Sequence, residues 1–323
     1  VKEGKSIILI THKLQEIKDV ADRCTIIRRG KLIDVIDVAT TSKNEMAAKM
    51  VGRPVEFKVQ KTPAQPGEVV LDIQHLKVIG AKKVPAVNDF SLQVHKGEIV
   101  GIAGVDGNGQ SELVHALSGL MPIAEGTVLL SGKDITKTSI RERNESGMGL
   151  VPEDRQKHGL VMQYTIAENT IIKSYYKEPF QKHGFLHKNR MFTFAGDITK
   201  QFDVRSGEGV YSAARNLSGG NQQKAILGRE IALDPELLIA VQPTRGLDVG
   251  AIEAIHKELV KHRDRGRAVL LISFELDEIF NLSDRIAVMH RGTLTGIVRP
   301  EETTVEEVGL MMAGDTRKHG GQQ

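Results

Sequence analysis

Glu98-Ile-Val-Gly-Ile-Ala-Gly104-Val-Asp-Gly-Asn-Gly109-Gln110-Ser111 opens with an apolar run, passes through a glycine-rich turn and continues into a helix that stops near Gly119. An apolar run with no polar alternation is buried on both faces, which is the signature of a central strand in a mainly parallel α/β sheet. Strand, glycine turn and helix in that order make a phosphate-binding loop. Small residues let backbone N–H groups converge, and the helix N-terminus adds positive potential for a di- or triphosphate. Gly104, Gly107, Asn108, Gly109, Gln110, Ser111 and Glu112 are therefore candidate nucleotide contacts, and the Ser111 hydroxyl is a weak candidate for a metal. Gln110 stands where such loops carry lysine. A neutral amide keeps a donor but loses a charge-assisted contact of about 1.5–3 kcal/mol.

Outward from this loop, the chain repeats itself. Gly4 to Gly52 recurs 262 positions later as Gly266 to Gly314. Leu9/Leu271, Ile10/Ile272, Leu14/Leu276, Glu16/Glu278, Ile17/Ile279, Asp22/Asp284, Arg23/Arg285, Arg29/Arg291, Gly30/Gly292, Leu32/Leu294, Met50/Met312 and Gly52/Gly314 are identical without a gap. Shared helix or strand propensity does not fix an ungapped match over so many positions. One complete unit is expected over residues 69–315, preceded by the end of an earlier copy at 1–53, a Pro/Gly-containing linker at 54–68, and followed by a tail at 316–323. Val1 in place of an initiating Met fits a chain whose front part lies elsewhere.

The earlier copy reads as strand Ser6–Ile10, helix Leu14–Ala21, strand Arg23–Arg28, a turn at Gly30 and a terminal helix Lys43–Val51. Some 50 residues are marginal as an independent fold, so this segment is expected to dock on the complete unit or to stay mobile. The complete unit opens with strands Val69–Val78 and Phe90–His95, an antiparallel β subdomain. From about 155 to 216 the pattern becomes polar and helical and carries most of the aromatics, which reads as a helical insertion into the α/β core.

Composition narrows the function. A net charge of +3 over 323 residues does not point to nucleic acid. The Arg317-Lys318-His319 stretch reads as a solvated terminus. A single cysteine, Cys24, excludes an internal disulfide and is compatible with a reducing compartment. No apolar run approaches the roughly 18 residues of a membrane span, and no signal peptide is visible, so an intracellular chain is expected.

A second phosphate-facing surface is Leu217-Ser218-Gly219-Gly220-Asn221-Gln222-Gln223-Lys224, two glycines beside a hydroxyl at a helix start, with Ser218 or Asn221 as cap. With these residues the chain resembles the ATP-binding subunits of ABC transporters over nearly all its length. Leu217–Lys224 is similar to their signature motif in sugar-type importers. Pro243-Thr244-Arg245-Gly246-Leu247-Asp248-Val249-Gly250 resembles the conserved-aspartate loop, and Val151-Pro152-Glu153-Asp154-Arg155 the variant glutamine loop. Together with Ala240-Val-Gln-Pro-Thr244 the set looks most like the nucleoside branch, a pentose or hexose importer being the alternative.

The resemblance implies an ABC-type P-loop nucleotide-binding domain, ATP and Mg²⁺ as cofactors, and two such domains per polypeptide paired head to tail. It also implies permease subunits as partners, a substrate-binding lipoprotein as an indirect one, and a peripheral place on the cytoplasmic face of the cell membrane. Glu153, Ser218, Gly219, Gly220, Gln222, Gln242 and Asp248 join the candidate contacts, and His12 aligns with the switch histidine of the first domain. The insertion is expected to hold the groove for a coupling helix of the permease, beside Glu153.

Departures from the pattern fall on one site. Leu237–Val241 resembles the Walker B strand, which in the family ends in Asp then Glu; here Val241 and Gln242 stand there. Valine cannot bind a hard cation, and glutamine cannot take a proton. Thr11-His12 aligns with Ser273-Phe274, so the switch histidine is absent from the complete unit. Val78 is the nearest candidate for an adenine-stacking residue. Gln110, Val241, Gln242 and Phe274 weaken one pocket together, whereas Ser218, Gly219 and Gly220 would complete the active site that His12 serves. A ribosome- or DNA-acting tandem protein and a regulatory domain that never hydrolyses ATP are the competing classes. The first lacks a basic, aromatic-interleaved stretch.

Overall fold

The computed structural model describes residues 4–28 and 30–315. Arg29, the 316–323 tail with Arg317, Lys318 and His319, and Val1 lie outside the described residues. The chain begins with α1 (Leu14–Val20), β1 (Arg23–Arg28), β2 (Lys31–Asp37) and α2 (Lys43–Val51). β1 and β2 form an antiparallel hairpin; β2 is a strand the sequence reading did not include. Leu14, Ile17, Ile26, Ile36, Val38, Met46 and Ala47 close a small core that is completed by Val249 of the complete unit. The segment is docked further by Arg53 on Glu253 at 2.7 Å and by Lys13 on Glu275 at 3.0 Å.

The strand expected at Ser6–Ile10 does not form. Ile7, Ile8 and Ile10 are 78%, 90% and 94% exposed. Their counterparts in the repeat, Ala268–Ile272, are paired on both sides, whereas among the described residues nothing offers residues 6–10 a ladder partner. A strand without a neighbour cannot satisfy its backbone, so apolar sequence alone does not make one.

Residues 54–68 contain no helix or strand, as a linker would, yet they are tied down. Val59 N–H donates to Asn281 Oδ1 at 3.0 Å, and Lys61 Nζ donates to the Leu282 and Ser283 carbonyls and to Asp284. Arg263, 1% exposed, donates to Asp284 and to the Thr62 carbonyl.

The complete unit runs β3 (Val69–Ile79), β4 (Pro85–His95), β5 (Ile99–Ala103), α3 (Gln110–Ser118), β6 (Glu125–Leu130), β7 (Lys133–Asp134), α4 (Ile140–Glu145) and β8 (Met148–Val151). The insertion follows with α5 (Ile166–Ile171), β9 (Gln181–Lys182), β10 (Phe185–Leu186) and α6 (Lys188–Gln201). Then come α7 (Gly219–Ala232), β11 (Leu237–Val241), α8 (Val249–Asp264), β12 (Ala268–Ile272), α9 (Leu276–Leu282), β13 (Arg285–His290), β14 (Thr293–Val298) and α10 (Val305–Met312).

Two sheets carry the unit. The central one has the order β14-β13-β5-β12-β11-β8, parallel except for the edge strand β14; the other is antiparallel, β4-β3-β6-β7. Ile99–Ala103, Leu237–Val241 and Ala268–Ile272 are buried at every position, as continuous apolar runs require. One face of the central sheet packs on helices through Ile226, Leu259, Ile279 and Val308; the other packs on the antiparallel sheet and α3 through Phe90, Leu76 and Leu113. Each such side chain contributes about 1.5–3 kcal/mol by leaving water. Capping boxes start α4 (Ser139/Glu142), α5 (Thr165/Glu168) and α10 (Thr304/Glu307), which fixes where the loops before them end.

The insertion is helical with a hairpin of two-residue strands, and its aromatics divide between internal packing and exposure, Tyr164, Tyr175 and Tyr211 being exposed. Phe180 and Phe194 lie 5.0 Å apart between ring centroids, Phe192 and Tyr211 4.7 Å, while Phe185 is exposed. It is fixed to the core by Glu230, which is fully buried and bonded to Lys173 at 2.7 Å, to Arg229, and to the Leu150 N–H. Burial works to raise the Glu230 carboxyl pKa, and the Lys173 and Arg229 cations overcome it, holding the group below the ordinary carboxylate value. Replacing Glu230 by Ala strands two cations and is expected to cost about 3–5 kcal/mol in denaturant-unfolding experiments.

His262 on α8 is 1% exposed, and burial drops its pKa from 6.5 to about 4. The unfolded chain takes a proton on this ring below pH 6.5 and the native state does not until about pH 4. Stability is therefore full above that window and falls through it as the pH drops, by up to about 3 kcal/mol. His262→Gln should flatten that part of the stability-versus-pH curve; an unchanged slope would contradict the assignment.

Candidate functional site

Parallel strands in register bring their carboxyl ends to one edge, and four candidate segments emerge there. β5 leads into Gly104, β8 into Pro152-Glu153, β11 into Gln242, and β12 into Ser273-Phe274. The 104–111 loop is held by close approach. Gly109 has φ +103°, and a Cβ on it would lie 2.1 Å from the Ala86 carbonyl oxygen; one on Gly104 would lie 2.2 Å from Gln110 Nε2 and 2.9 Å from the Met289 carbonyl. Gly107, with φ +83°, faces open space. The loop stays open toward Gly107 and Asn108, and Asn108 is braced by N–H to the Val105 carbonyl and by its own carbonyl to the Gly292 N–H.

Gln110 does not point into a ligand space. It is 2% exposed, its Nε2 donates to the Val105 carbonyl at 3.1 Å, and its Oε1 has no partner. Val241 is 4% exposed, and Gln242 is 5% exposed, with a left-handed φ of 48° and an Nε2 that has no partner. Such a backbone conformation outside glycine costs about 1–3 kcal/mol and occurs where the surroundings enforce it. Here the Gln242 N–H donates to the Ile272 carbonyl at 2.8 Å.

Ser111, Glu153, Val241 and Arg245 line one open cleft of about 950 Å³, together with Arg155, His158, Lys173 and Arg229. Glu153 Oε1 accepts from Arg245 Nη1 at 2.7 Å, and Ser111 Oγ lies 3.5 Å from Glu153 Oε2. Arg155 Nη1 donates to the Arg245 carbonyl at 3.0 Å, and its guanidinium covers Gly219, where a Cβ would meet Nη2 at 2.8 Å. Two arginines thus join the Glu153 segment, the Arg245 loop and the start of α7. Both stand inside the motifs quoted from the sequence, which gave them no role; Arg245 beside Gly246 was the available signal.

Ser218, Gly219 and Gly220 begin α7 on the surface, away from the 104–111 loop, and none of them lines the cleft. Ser218 Oγ accepts from the Asn221 N–H and Nδ2. Gln222, expected to contact nucleotide, is 2% exposed and donates to the Ala214 and Leu217 carbonyls, so its side chain fixes the turn before α7. Its amide is spent inside the protein. Asp248 caps α8 by accepting from the Ala251 N–H at 2.9 Å. Glu112 sits half-buried in the first turn of α3. His12 is half-buried beside Lys13, whose contact with Glu275 sets the His12 segment against the Phe274 segment. A cluster the sequence did not reveal is Glu278, which accepts from Thr244 Oγ1 at 2.7 Å and contacts His256 Nε2 at 2.8 Å. Identity of Glu16 with Glu278 was the available signal.

The donor inventory fits an anion. Loop N–H groups, the Ser111 hydroxyl and the Arg245 guanidinium are donors, which suits a polyphosphate such as that of ATP. It does not fit Mg²⁺, which demands oxygen ligands in near-octahedral geometry. Val241 has none to give, and the carboxylate at Ser111 already holds Arg245.

Residues 87–245 match the ABC transporter family. They form an ABC transporter domain. Solved ATP-binding cassettes share the fold: a nucleotide-free cassette (TM-score 0.62, 22% identity, covering 77% of this chain and 96% of that one) and a dimeric cassette bound to ADP and phosphate (0.62, 22%, 71% and 98%). A guanosine import ATP-binding protein of Bacillus subtilis is 56% identical over 321 residues, 99% of this chain. A nucleoside import ATP-binding protein of Lactococcus lactis subsp. cremoris is 54% identical over 314, or 97%. A ribose import ATP-binding protein of Bacillus subtilis is 33% identical over 313 residues, again 97%. The chain spans 63%, 62% and 62% of the length of these relatives, less than two thirds.

The loop geometry of this ABC domain sets a test. Gly109→Ala should cost at least about 2 kcal/mol from the left-handed backbone and the Ala86 clash. Gly107→Ala, with the same hand of φ but no clash, should cost clearly less in denaturant titration.

Proposed function

We propose that this chain belongs to the ATP-binding, energy-coupling subunit of an importer for nucleosides, with permease subunits as membrane partners. The observation that carries the reading is the gradient of identity at equal coverage, 54–56% to nucleoside and guanosine import proteins against 33% to a ribose import protein. Among the described residues no helix is long and apolar enough to cross a membrane. The place we assign the chain is the cytoplasmic face of the membrane, against the permease subunits. The helical insertion, near Glu153, is the part that receives a permease helix.

Within the subunit, the unit at 69–315 acts as the degenerate second nucleotide-binding domain. Its Ser218, Gly219 and Gly220 face the nucleotide held by the first domain, whose switch histidine is His12, and residues 1–53 belong to that first domain. Lys13 and Glu275 occupy equivalent positions of the repeat and touch each other. A contact between equivalent residues is what a two-fold-like pairing of two copies places near its axis. The second pocket holds nucleotide through the Gly104–Ser111 backbone and does not hydrolyse it, because Gln242 cannot take a proton and position 274 offers phenylalanine.

Phosphate release by the intact transporter tests this division. His12→Ala or Ser218→Arg should lower turnover about 10²-fold or more, as loss of a catalytic element does. Phe274→His should leave it nearly unchanged, and the 323-residue chain alone should release negligible phosphate. Uptake of labelled guanosine should vanish on deletion of the gene while ribose uptake persists; the reverse pattern would assign a pentose.

A further inference from the structure

We propose that the pocket of the 69–315 unit binds its polyphosphate without a divalent cation, with the Arg245 guanidinium in the place of the missing lysine and metal. The inference rests on the reading that the Gly104–Ser111 loop holds nucleotide. Two positions that bring positive charge to a triphosphate in the resembled pattern, the lysine and the aspartate that organises the metal, are altered here: Gln110 is neutral and turned back onto the Val105 carbonyl, and Val241 has no oxygen to offer a cation.

Charge of the right sign stands close by. Arg245 Nη1 is 2.7 Å from one oxygen of Glu153, and the other oxygen of that carboxylate is 3.5 Å from Ser111 Oγ. The guanidinium is thus one carboxylate's width from the first hydroxyl of the loop. Its backbone is fixed, by its own N–H to the Gln242 carbonyl at 3.1 Å and by Arg155 to its carbonyl, whereas its side chain is 64% exposed and free to turn. A triphosphate carries more charge than a carboxylate and accepts the planar guanidinium fork in the same bidentate way, so it can take Arg245 from Glu153.

In the absence of ligand, then, Glu153 holds Arg245 in reserve. The two residues have opposite effects on binding: Arg245 attracts the polyphosphate, and Glu153 competes with it for the same guanidinium. A pair that only braced the two loops would show in the unfolding midpoints and not as opposite changes in affinity.

Isothermal titration of the 323-residue chain with ATP, and separately with inorganic triphosphate, in Mg²⁺ and in EDTA, tests this. Affinity should differ by less than about twofold between the two buffers, and Arg245→Ala should weaken it about tenfold or more. Arg245→Lys should recover part of the loss, and Glu153→Gln should tighten binding. Unfolding midpoints of each variant separate a binding defect from a folding one. Loss of binding in EDTA, or equal weakening by Arg245→Ala and Glu153→Gln, would overturn the inference while leaving the nucleotide reading intact. No binding by the folded wild-type chain in either buffer would overturn both.

Discussion

Parallel pairing of β5 with β12, of β12 with β11 and of β11 with β8 is the constraint on which the rest of this structure depends. Because the four strands run in one direction, the turns that follow them open at a single edge, and ligand-facing loops of open α/β sheets gather there. β13 runs the same way beside β5 and carries the Met289 carbonyl that presses on Gly104. The antiparallel sheet contributes from the other side, through the Ala86 carbonyl packed against Gly109 and Gly292. The glycine loop is therefore a junction between two sheets, and its conformation is imposed by backbone on both flanks.

On that scaffold the side chains divide by chemistry. At the 104–111 loop the backbone N–H groups and the Ser111 hydroxyl are hydrogen-bond donors, and the carboxylate that reaches Ser111 Oγ, Glu153, is occupied by Arg245. At the start of α7 Ser218 is exposed, Gly219 and Gly220 are half-buried, and none of the three lines the cleft. One unit thus presents two glycine-bearing surfaces, the Gly104–Ser111 loop at the edge of the sheet and the start of α7. Arg155 touches both the Arg245 loop and Gly219, which ties the start of α7 to the cleft.

Much of this was legible in the residues. The Glu98–Ser111 stretch announces a buried strand, a turn that only glycines can make and a helix stopped by Gly119, which ends α3 in a left-handed conformation. Leu237–Val241 and the Ser218 cap were equally plain, because continuous apolar runs and side-chain caps are local signals. Less local features escaped. Ser6–Ile10 has strand composition but no ladder partner, and composition does not record who sits alongside. Gln222 looks like a ligand contact in a motif, yet which way an amide on a helix points depends on the turn packed before it. The Glu153–Arg245 pair joins residues 92 positions apart, and the Thr244–Glu278–His256 cluster joins three segments that only the sheet register brings together.

A crystal structure of this chain grown with ATP and Mn²⁺, with anomalous data at the manganese edge, tests the account most directly. It predicts triphosphate density on the Gly104–Ser111 loop contacting Arg245, and no manganese peak within ligand distance of Ser111 and Gln242. A manganese ion coordinated between those two residues, with Arg245 still paired to Glu153, would contradict it.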